Sequence, residues 1–389
     1  MKSKQHLINF VLTVVICMIL CSPVYYFRIT QPVDSDFGGH VNYAQHFLDK
    51  GFFEPSPAAH PILQLLIIFI SKINGGLFEL YGSMLIVQIL AQGFLAGIVY
   101  IWLGDSDKKG WEIWRIGASV SVTFIAPVML LAIKDGLFYF GYIAMANYSN
   151  PTVNLLKPVA LLCIMQATAV LENDKESFRD IVKSASMVII ASFIKPNFTL
   201  ALLPALLVIS VYYLIIRKSI SQKQIIFGFI LPSILSLVAQ WGIMYASKAP
   251  SNRILFAPFF LESAYSDYLL PKFLLSIPFI AQGVYVFRKH LPHDFSLLLG
   301  FLVFIFGVFQ NYMFVEGGND LLHGNFRWSG QIVTILFSII ILRKTLKEMV
   351  LGKKMYSVFA KFIALVTYVS QLLGGAAYYY YCLTSMHYR

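Results

Sequence analysis

Long apolar runs separated by short polar ones set the pattern of this chain. Apolar windows stand at Leu7 to Phe27, Leu80 to Leu103, Ile116 to Ile133, Val153 to Leu171, Ser184 to Ile194, Phe198 to Ile216, Ile225 to Ala246, Phe273 to Phe287, Phe295 to Val315, Ile332 to Leu342 and Tyr356 to Leu383. Runs of this length and polarity predict membrane-spanning helices, so the fold class is all-α and polytopic, with about eleven transmembrane helices in one domain over residues 1–389. The run Pro61 to Ile73 is different. Its apolar core, Ile62 to Ile70, is interrupted by Gln64 and spans about 14 Å as a helix, against a hydrocarbon core of about 30 Å.

Charge parity decides how that short run is placed. If it does not cross, 19 of the 30 Lys and Arg fall on the cytoplasmic side, among them Lys2, Lys4, Lys108, Lys109, Arg115, Arg217, Lys218, Arg343 and Lys344. If it crosses, every later loop inverts and the bias reverses, against the positive-inside rule. The chain therefore has a cytoplasmic N-terminus and a first external loop at residues 28–79 that carries two interfacial helices. The first of these occupies residues 40–51, with Val41, Ala44, Phe47 and Leu48 on one side and Asn42, Gln45, His46, Asp49 and Lys50 on the other, the spacing of a helix lying on a membrane. Gly51 is placed to end it. The second begins at Pro61.

Composition agrees with this layout. Hydrophobic residues make up 58% of the chain and charged ones 13%, with a mean hydropathy of +0.70, outside the range of soluble domains. The opening run of about 20 apolar residues lacks a small-residue cleavage site and reads as a retained span. A net charge of +11 sits in short clusters between spans, as membrane orientation requires, and nucleic acid is excluded as a partner. Cys17, Cys21, Cys163 and Cys382 lie in or beside apolar segments and read as small buried hydrophobes. The run Tyr378 to Tyr381 suits an aromatic belt at the outer interface.

Against this background the polar island DSDFGGHVNYAQHFLDKGFFEPSPAAHP, residues 34–61, stands out. Asp34, Asp36 and His40 gather at the start of the first interfacial helix, beside lipid headgroups. A first span, an external acidic motif opening a surface helix, a half-inserted second helix and many short-looped spans resemble the GT-C superfamily of membrane glycosyltransferases. The likeness is to the branch holding protein O-mannosyltransferases and the aminoarabinose transferase of lipid A. Asp36 precedes Gly51 by the family's interval, and Pro55, Pro57, Pro61, Ile62 and Leu63 match its Pro-containing stretch and half-inserted helix. Lys195 and Pro196 match a later Lys-Pro element, and HGNFRW at residues 323–328 approaches a His-x-Arg-Tyr element. Two features depart from the pattern: Phe37 stands where the family usually has Glu, and the soluble domain of many members is not in the sequence.

The resemblance implies inverting transfer of a sugar from a polyprenyl-phosphate donor to a lipid or glycan acceptor of the cell envelope, on the external face of a bacterial cytoplasmic membrane. Such a reaction needs a carboxylate to take the acceptor's proton and cations to hold the departing phosphate. Asp36 is the candidate base; the plainer role for it is a helix cap. Asp34 completes an Asp-Ser-Asp that offers hard oxygen ligands to a divalent cation, Mg or Mn, although the same tripeptide recurs at Asp105 to Asp107 in a solvated loop. Candidate cations are Arg327, suited to bidentate phosphate binding or to anchoring beside Trp328, together with Lys195, His323 and Lys157. Lys195 either snorkels to a thinned interface or faces a wet cavity, with Pro196 breaking the helix there. His40, His46 and His60 are candidates to bind a sugar or acceptor, although histidine is common at membrane interfaces and none of them has a metal-ligand spacing. Glu262 and the acids of EGGNDLLHG also lie outside, where they are candidates to contact sugar hydroxyls, and read by default as solvated loops. The rivals are a polysaccharide polymerase or ligase, whose arginines would sit in large late external loops, a transporter, which would show mid-span charges and similar halves, and a membrane acyltransferase, which would place a histidine within a span.

Overall fold

The computed structural model describes residues 2–31, 35–73, 75, 78–104, 106, 110–173, 176–216, 220–245, 254–318, 321–351 and 357–386. Among them the chain is almost wholly helical: α1 (Lys2–Thr30), α2 (Phe37–Lys50), α3 (Pro55–Ala59), α4 (Ile62–Ile73), α5 (Leu80–Leu103), α6 (Trp111–Ser121), α7 (Ala132–Asp135), α8 (Pro151–Glu172), α9 (Phe178–Ile194), α10 (Asn197–Ile215), α11 (Gln222–Ile225), α12 (Leu231–Tyr245), α13 (Phe260–Tyr265), α14 (Leu269–Ser276), α15 (Pro278–Phe287), α16 (Phe295–Met313), α17 (Arg327–Leu351) and α18 (Val358–Thr384). A two-stranded antiparallel ribbon joins β1 (Ile254–Phe256) to β2 (Phe314–Glu316), with Ile254 opposite Glu316.

Among the described residues, eight helical segments are long and apolar enough to cross a membrane: α1, α5, α8, α10, the continuous run from α11 through a π-turn into α12, α16, α17 and α18; the bent pair α14 and α15 makes a ninth if counted as one span. The protein is thus an all-α polytopic membrane protein. Three of the expected eleven spans take other forms. The run Ser184 to Ile194 is the apolar end of α9, a helix of 17 residues and shorter than the eight. The run Ile116 to Ile133 divides into the end of α6, a 3-10 turn, an extended stretch and α7. Its extended backbone is satisfied by neighbouring helices, Ala126 N donating to the Gln371 carbonyl at 3.0 Å and Val128 N to that of Leu275 at 2.9 Å, as an unwound segment buried among membrane helices requires. Gly374 and Gly375 of α18 let it approach: a Cβ at Gly375 would lie 1.8 Å from the Phe124 carbonyl oxygen. The run Phe273 to Phe287 is bent by 64° between α14 and α15, where Pro278 opens the second helix.

The apolar residues pack around α17, which is 83% buried over its membrane-length window, whereas the windows of α18 and α1 are 22% and 28% buried and leave apolar side chains facing outward. Small residues bring neighbours close, as in other membrane bundles: Gly300 and Gly307 of α16 seat Ile340, Phe337 and Val333 of α17, and Gly93 and Gly97 of α5 seat Met18 and Phe10 of α1.

The expected helix at residues 40–51 begins earlier, at Phe37, and ends as foreseen, with Gly51 at φ 78° and its amide donating to the Phe47 carbonyl. It buries Phe37, Val41 and Ala44, while Leu48 stays exposed. α4 has 12 residues, too short for an untilted crossing, and buries Leu63, Gln64, Ile67 and Ile68. All four cysteines are buried and reduced. Tyr378 belongs to no belt: it is fully buried and stacks on Tyr148 and Tyr139.

Candidate functional site

The polar groups of the first loop meet the N-terminus of α8. Asn150 is the N-cap of that helix, its side-chain oxygen accepting from Val153 N at 3.0 Å, and Pro151 follows in the first turn, where a missing N–H costs nothing. The other end of the Asn150 amide donates to Asp36 Oδ2 at 2.5 Å, and the Asp36 amide donates to the Ser149 carbonyl at 3.1 Å. Asp36 occupies the N-cap position of α2, yet its side chain makes no capping bond to that helix. Its carboxylate is exposed and is oriented by Asn150 instead.

From Asn150 the chain of hydrogen bonds continues inward. Thr152 Oγ1 donates to Asn150 Oδ1 at 2.8 Å and accepts from Lys195 Nζ at 3.2 Å. Lys195 is the C-cap of α9, in extended conformation, and Pro196 starts the turn into α10. It is only 8% exposed, and its ammonium lies 5.6 Å from the centre of the Trp328 ring. Burial pulls its pKa down to about 8, against the opposing pull of the Asp36 and Glu316 carboxylates. Lys195 thus ends in a buried pocket rather than stretched to the surface.

Lys195 faces a cavity of about 390 Å³. Its lining includes the polar residues His60, Lys195, Asn197, Gln240, Glu316 and Asn325 and the apolar residues Leu200, Leu237, Val238, Trp241, Met244, Ile254 and Phe326. Gln240 closes the base, its Nε2 donating to the carbonyls of Ala59 at 2.8 Å and Ser192 at 2.7 Å. Asn197 donates to the Asn325 carbonyl at 2.8 Å and to Ser329 Oγ at 2.9 Å, pinning α10 to the start of α17.

His40 and His60 stand near the same ammonium. Gln64 of α4 bridges them: with its amide turned so that all partners are satisfied, its oxygen accepts from His40 Nδ1 at 2.9 Å and its nitrogen donates to the Pro61 and His60 carbonyls at 3.2 Å. Burial first, and then the Lys195 charge, hold both imidazoles neutral, each with its pKa pushed down to about 3; His60 adds to the effect on His40.

Asp36, His40, His60 and Lys195 are therefore brought together, with Asp36 opening to solvent and Lys195 to the cavity. The remaining expected residues lie elsewhere. Arg327 does not line the cavity: Nε and Nη2 are closed on the two Glu262 oxygens, both side chains are buried, and Tyr139, Phe140 and Tyr265 surround the guanidinium. A fork already filled by a carboxylate is not offered to a phosphate, and Glu262 is no solvated loop residue. Lys157 lies within α8, is 2% exposed and donates to Asn154 Oδ1 at 3.0 Å, a turn away on its own helix and away from the cavity. His323 is exposed in the turn before α17 and does not line the cavity. Asp34 lies outside the described residues. Among the described residues no three His, Cys, Asp or Glu side chains stand close enough to share a metal ion.

Asn197, Gln240 and Trp241 complete the cavity without having been picked from the sequence, together with Glu316 and Asn325 of the EGGNDLLHG and HGNFRW stretches. The one signal was the glutamine and tryptophan of AQWG, a polar pair inside an otherwise apolar run. No family model matches the sequence, and no curated protein matches it closely enough to indicate kinship.

Proposed function

We propose that this chain is a membrane glycosyltransferase that moves a sugar from a polyprenyl-phosphate donor to a lipid or glycan acceptor at the external face of the cytoplasmic membrane, its N-terminus in the cytoplasm and α2 and α4 lying along the outer leaflet. The observation that carries this reading is the pairing of an exposed, oriented carboxylate, Asp36, with a buried ammonium, Lys195, joined through Asn150 and Thr152 beside a cavity lined by both polar and apolar side chains. A prenyl chain suits the apolar side chains, contributed largely by α12, and its phosphate suits Lys195.

The chemistry follows from the charges. Asp36 takes the proton of an acceptor hydroxyl arriving from the solvent side. The acceptor oxygen bonds to the anomeric carbon as the bond from that carbon to the phosphate oxygen breaks, with inversion. The lipid phosphate leaves with the electron pair, and Lys195, low in dielectric and already in place, stabilises the charge as it develops. His60, held neutral, is a hydrogen-bond partner there and not a second cation.

The test is direct. Purified protein is offered a panel of polyprenyl-phosphate sugars and release of lipid phosphate is measured for the wild type and Asp36→Asn. Release by the wild type that is abolished in the variant, at equal amounts of folded protein, supports the reading; release that persists in Asp36→Asn removes Asp36 as the base.

A further inference from the structure

Glu316 is the one carboxylate among the residues lining the cavity. It ends β2, and both of its oxygens are already oriented: Oε1 accepts from Tyr245 Oη at 3.0 Å and Oε2 from Asn325 Nδ2 at 2.5 Å. An ionised carboxylate has room for about four hydrogen bonds, so two acceptor positions remain. Because two neutral donors hold it, it loses little rotational freedom when a ligand takes those positions. Glu316 does not pair with Lys195 within hydrogen-bonding distance, although its charge acts on that ammonium. The cavity is therefore polarised, with an ammonium at one place and an acceptor-only anion at another.

This polarity sorts the parts of a ligand. A phosphate is repelled from Glu316 and drawn to Lys195, while hydroxyl groups, which donate, are drawn to Glu316. We infer that Glu316 is the subsite for the hydroxyl-bearing part of the ligand, a sugar ring whose O–H groups donate to its two remaining acceptor positions while the attached phosphate lies at Lys195. The assignment rests on the reading of this cavity as a lipid-phosphate site. The plainer role for Glu316 is to tie α12 to the ribbon through Tyr245, and the experiment separates the two.

Binding of geranyl phosphate and of geranyl phosphoryl-glucose to the detergent-solubilised full-length protein is measured by calorimetry. The wild type binds the glucose compound more tightly by about tenfold, the gain typical of hydrogen bonds to a charged group. Glu316→Ala and the isosteric Glu316→Gln remove most of that gain while both still bind geranyl phosphate, which also shows that both variants are folded. A wild type that gains nothing from the sugar, a gain that survives in both variants, or variants that lose both ligands equally would overturn the assignment while leaving the lipid-phosphate site standing. A wild type that binds neither compound sinks the lipid-phosphate reading and this assignment with it.

Discussion

Arg327 and Glu262 meet through two parallel hydrogen bonds of 2.8 and 2.7 Å, 65 residues apart in sequence, with both side chains almost wholly buried. The pair joins α13 to the first residue of α17, the helix around which the bundle packs. Removing one member strands the other charge in a low-dielectric interior, a change that costs about 3–5 kcal/mol. Arg327→Ala and Glu262→Ala should each lower the unfolding temperature in detergent by many degrees or prevent accumulation in the membrane. The folded fraction of either variant should keep its affinity for geranyl phosphate. A variant of normal stability that binds the lipid phosphate poorly would return Arg327 to the role of phosphate ligand.

Lys195 makes the opposite prediction, a loss of binding without a loss of fold. Its ammonium sits at the cavity and its pKa is lowered to about 8 by burial. It is charged at neutral pH and discharges as the pH rises through about 8, so affinity for geranyl phosphate should fall from pH 7 to pH 9. Lys195→Met should bind weakly at every pH, with the alkaline fall abolished. Lys195→Arg, where it is accommodated, should keep its affinity at pH 9, because a guanidinium does not discharge there. An unchanged alkaline fall in Lys195→Met would assign the titration to another group.

How much of this was legible in the sequence depends on which force decides each feature. The long helices follow from hydropathy alone, since a run such as Leu80 to Leu103 has no other stable conformation in a bilayer. The cap at Gly51 followed from local backbone chemistry. The break in Ile116 to Ile133 did not, because it depends on Gly374 and Gly375, some 250 residues away, presenting a bare helix face to the extended backbone. The site divides in the same way. Asp36, His40, His60 and Lys195 stood out as polar groups beside apolar ones and do converge. Arg327 was just as conspicuous, but Glu262, which fills its fork, lies in a segment that reads as a polar loop. Glu316 reads by default as a solvated loop acid for the same reason: only the pairing of β2 with β1 and the packing of α12 turn it into a cavity wall.

His40 and His60 tie stability to acid. Both are held neutral in the fold, with pKa values lowered to about 3 by burial and the Lys195 charge, whereas in the unfolded chain each titrates near 6.5. Between those values the unfolded state binds more protons, so their contribution is complete above about pH 6.5 and is lost as the pH falls toward 3. The unfolding temperature in detergent should drop from pH 7.5 to pH 5, and His60→Asn should flatten part of that drop. An acid dependence identical in His60→Asn and the wild type would show that the destabilising protons go elsewhere.

Asn150 performs two tasks with one amide, capping α8 through its oxygen and orienting the Asp36 carboxylate through its nitrogen. Asn150→Asp keeps the capping oxygen, since aspartate is as good a cap, but replaces the donor facing Asp36 with a like charge. Asn150→Ala loses both, at a capping cost of about 0.5–2 kcal/mol. If the proposed transfer is correct, Asn150→Asp, which places a like charge at a buried position and so lowers the unfolding temperature, should in its folded fraction turn over at least tenfold more slowly while still binding donor, because Lys195 still reaches Thr152. A second carboxylate beside Asp36 also raises the pKa of the pair, so the remaining activity of Asn150→Asp should rise with pH across a range in which the wild type is already flat. Equal turnover and the same pH profile in the two proteins would show that the orientation of Asp36 by Asn150 has no part in the reaction.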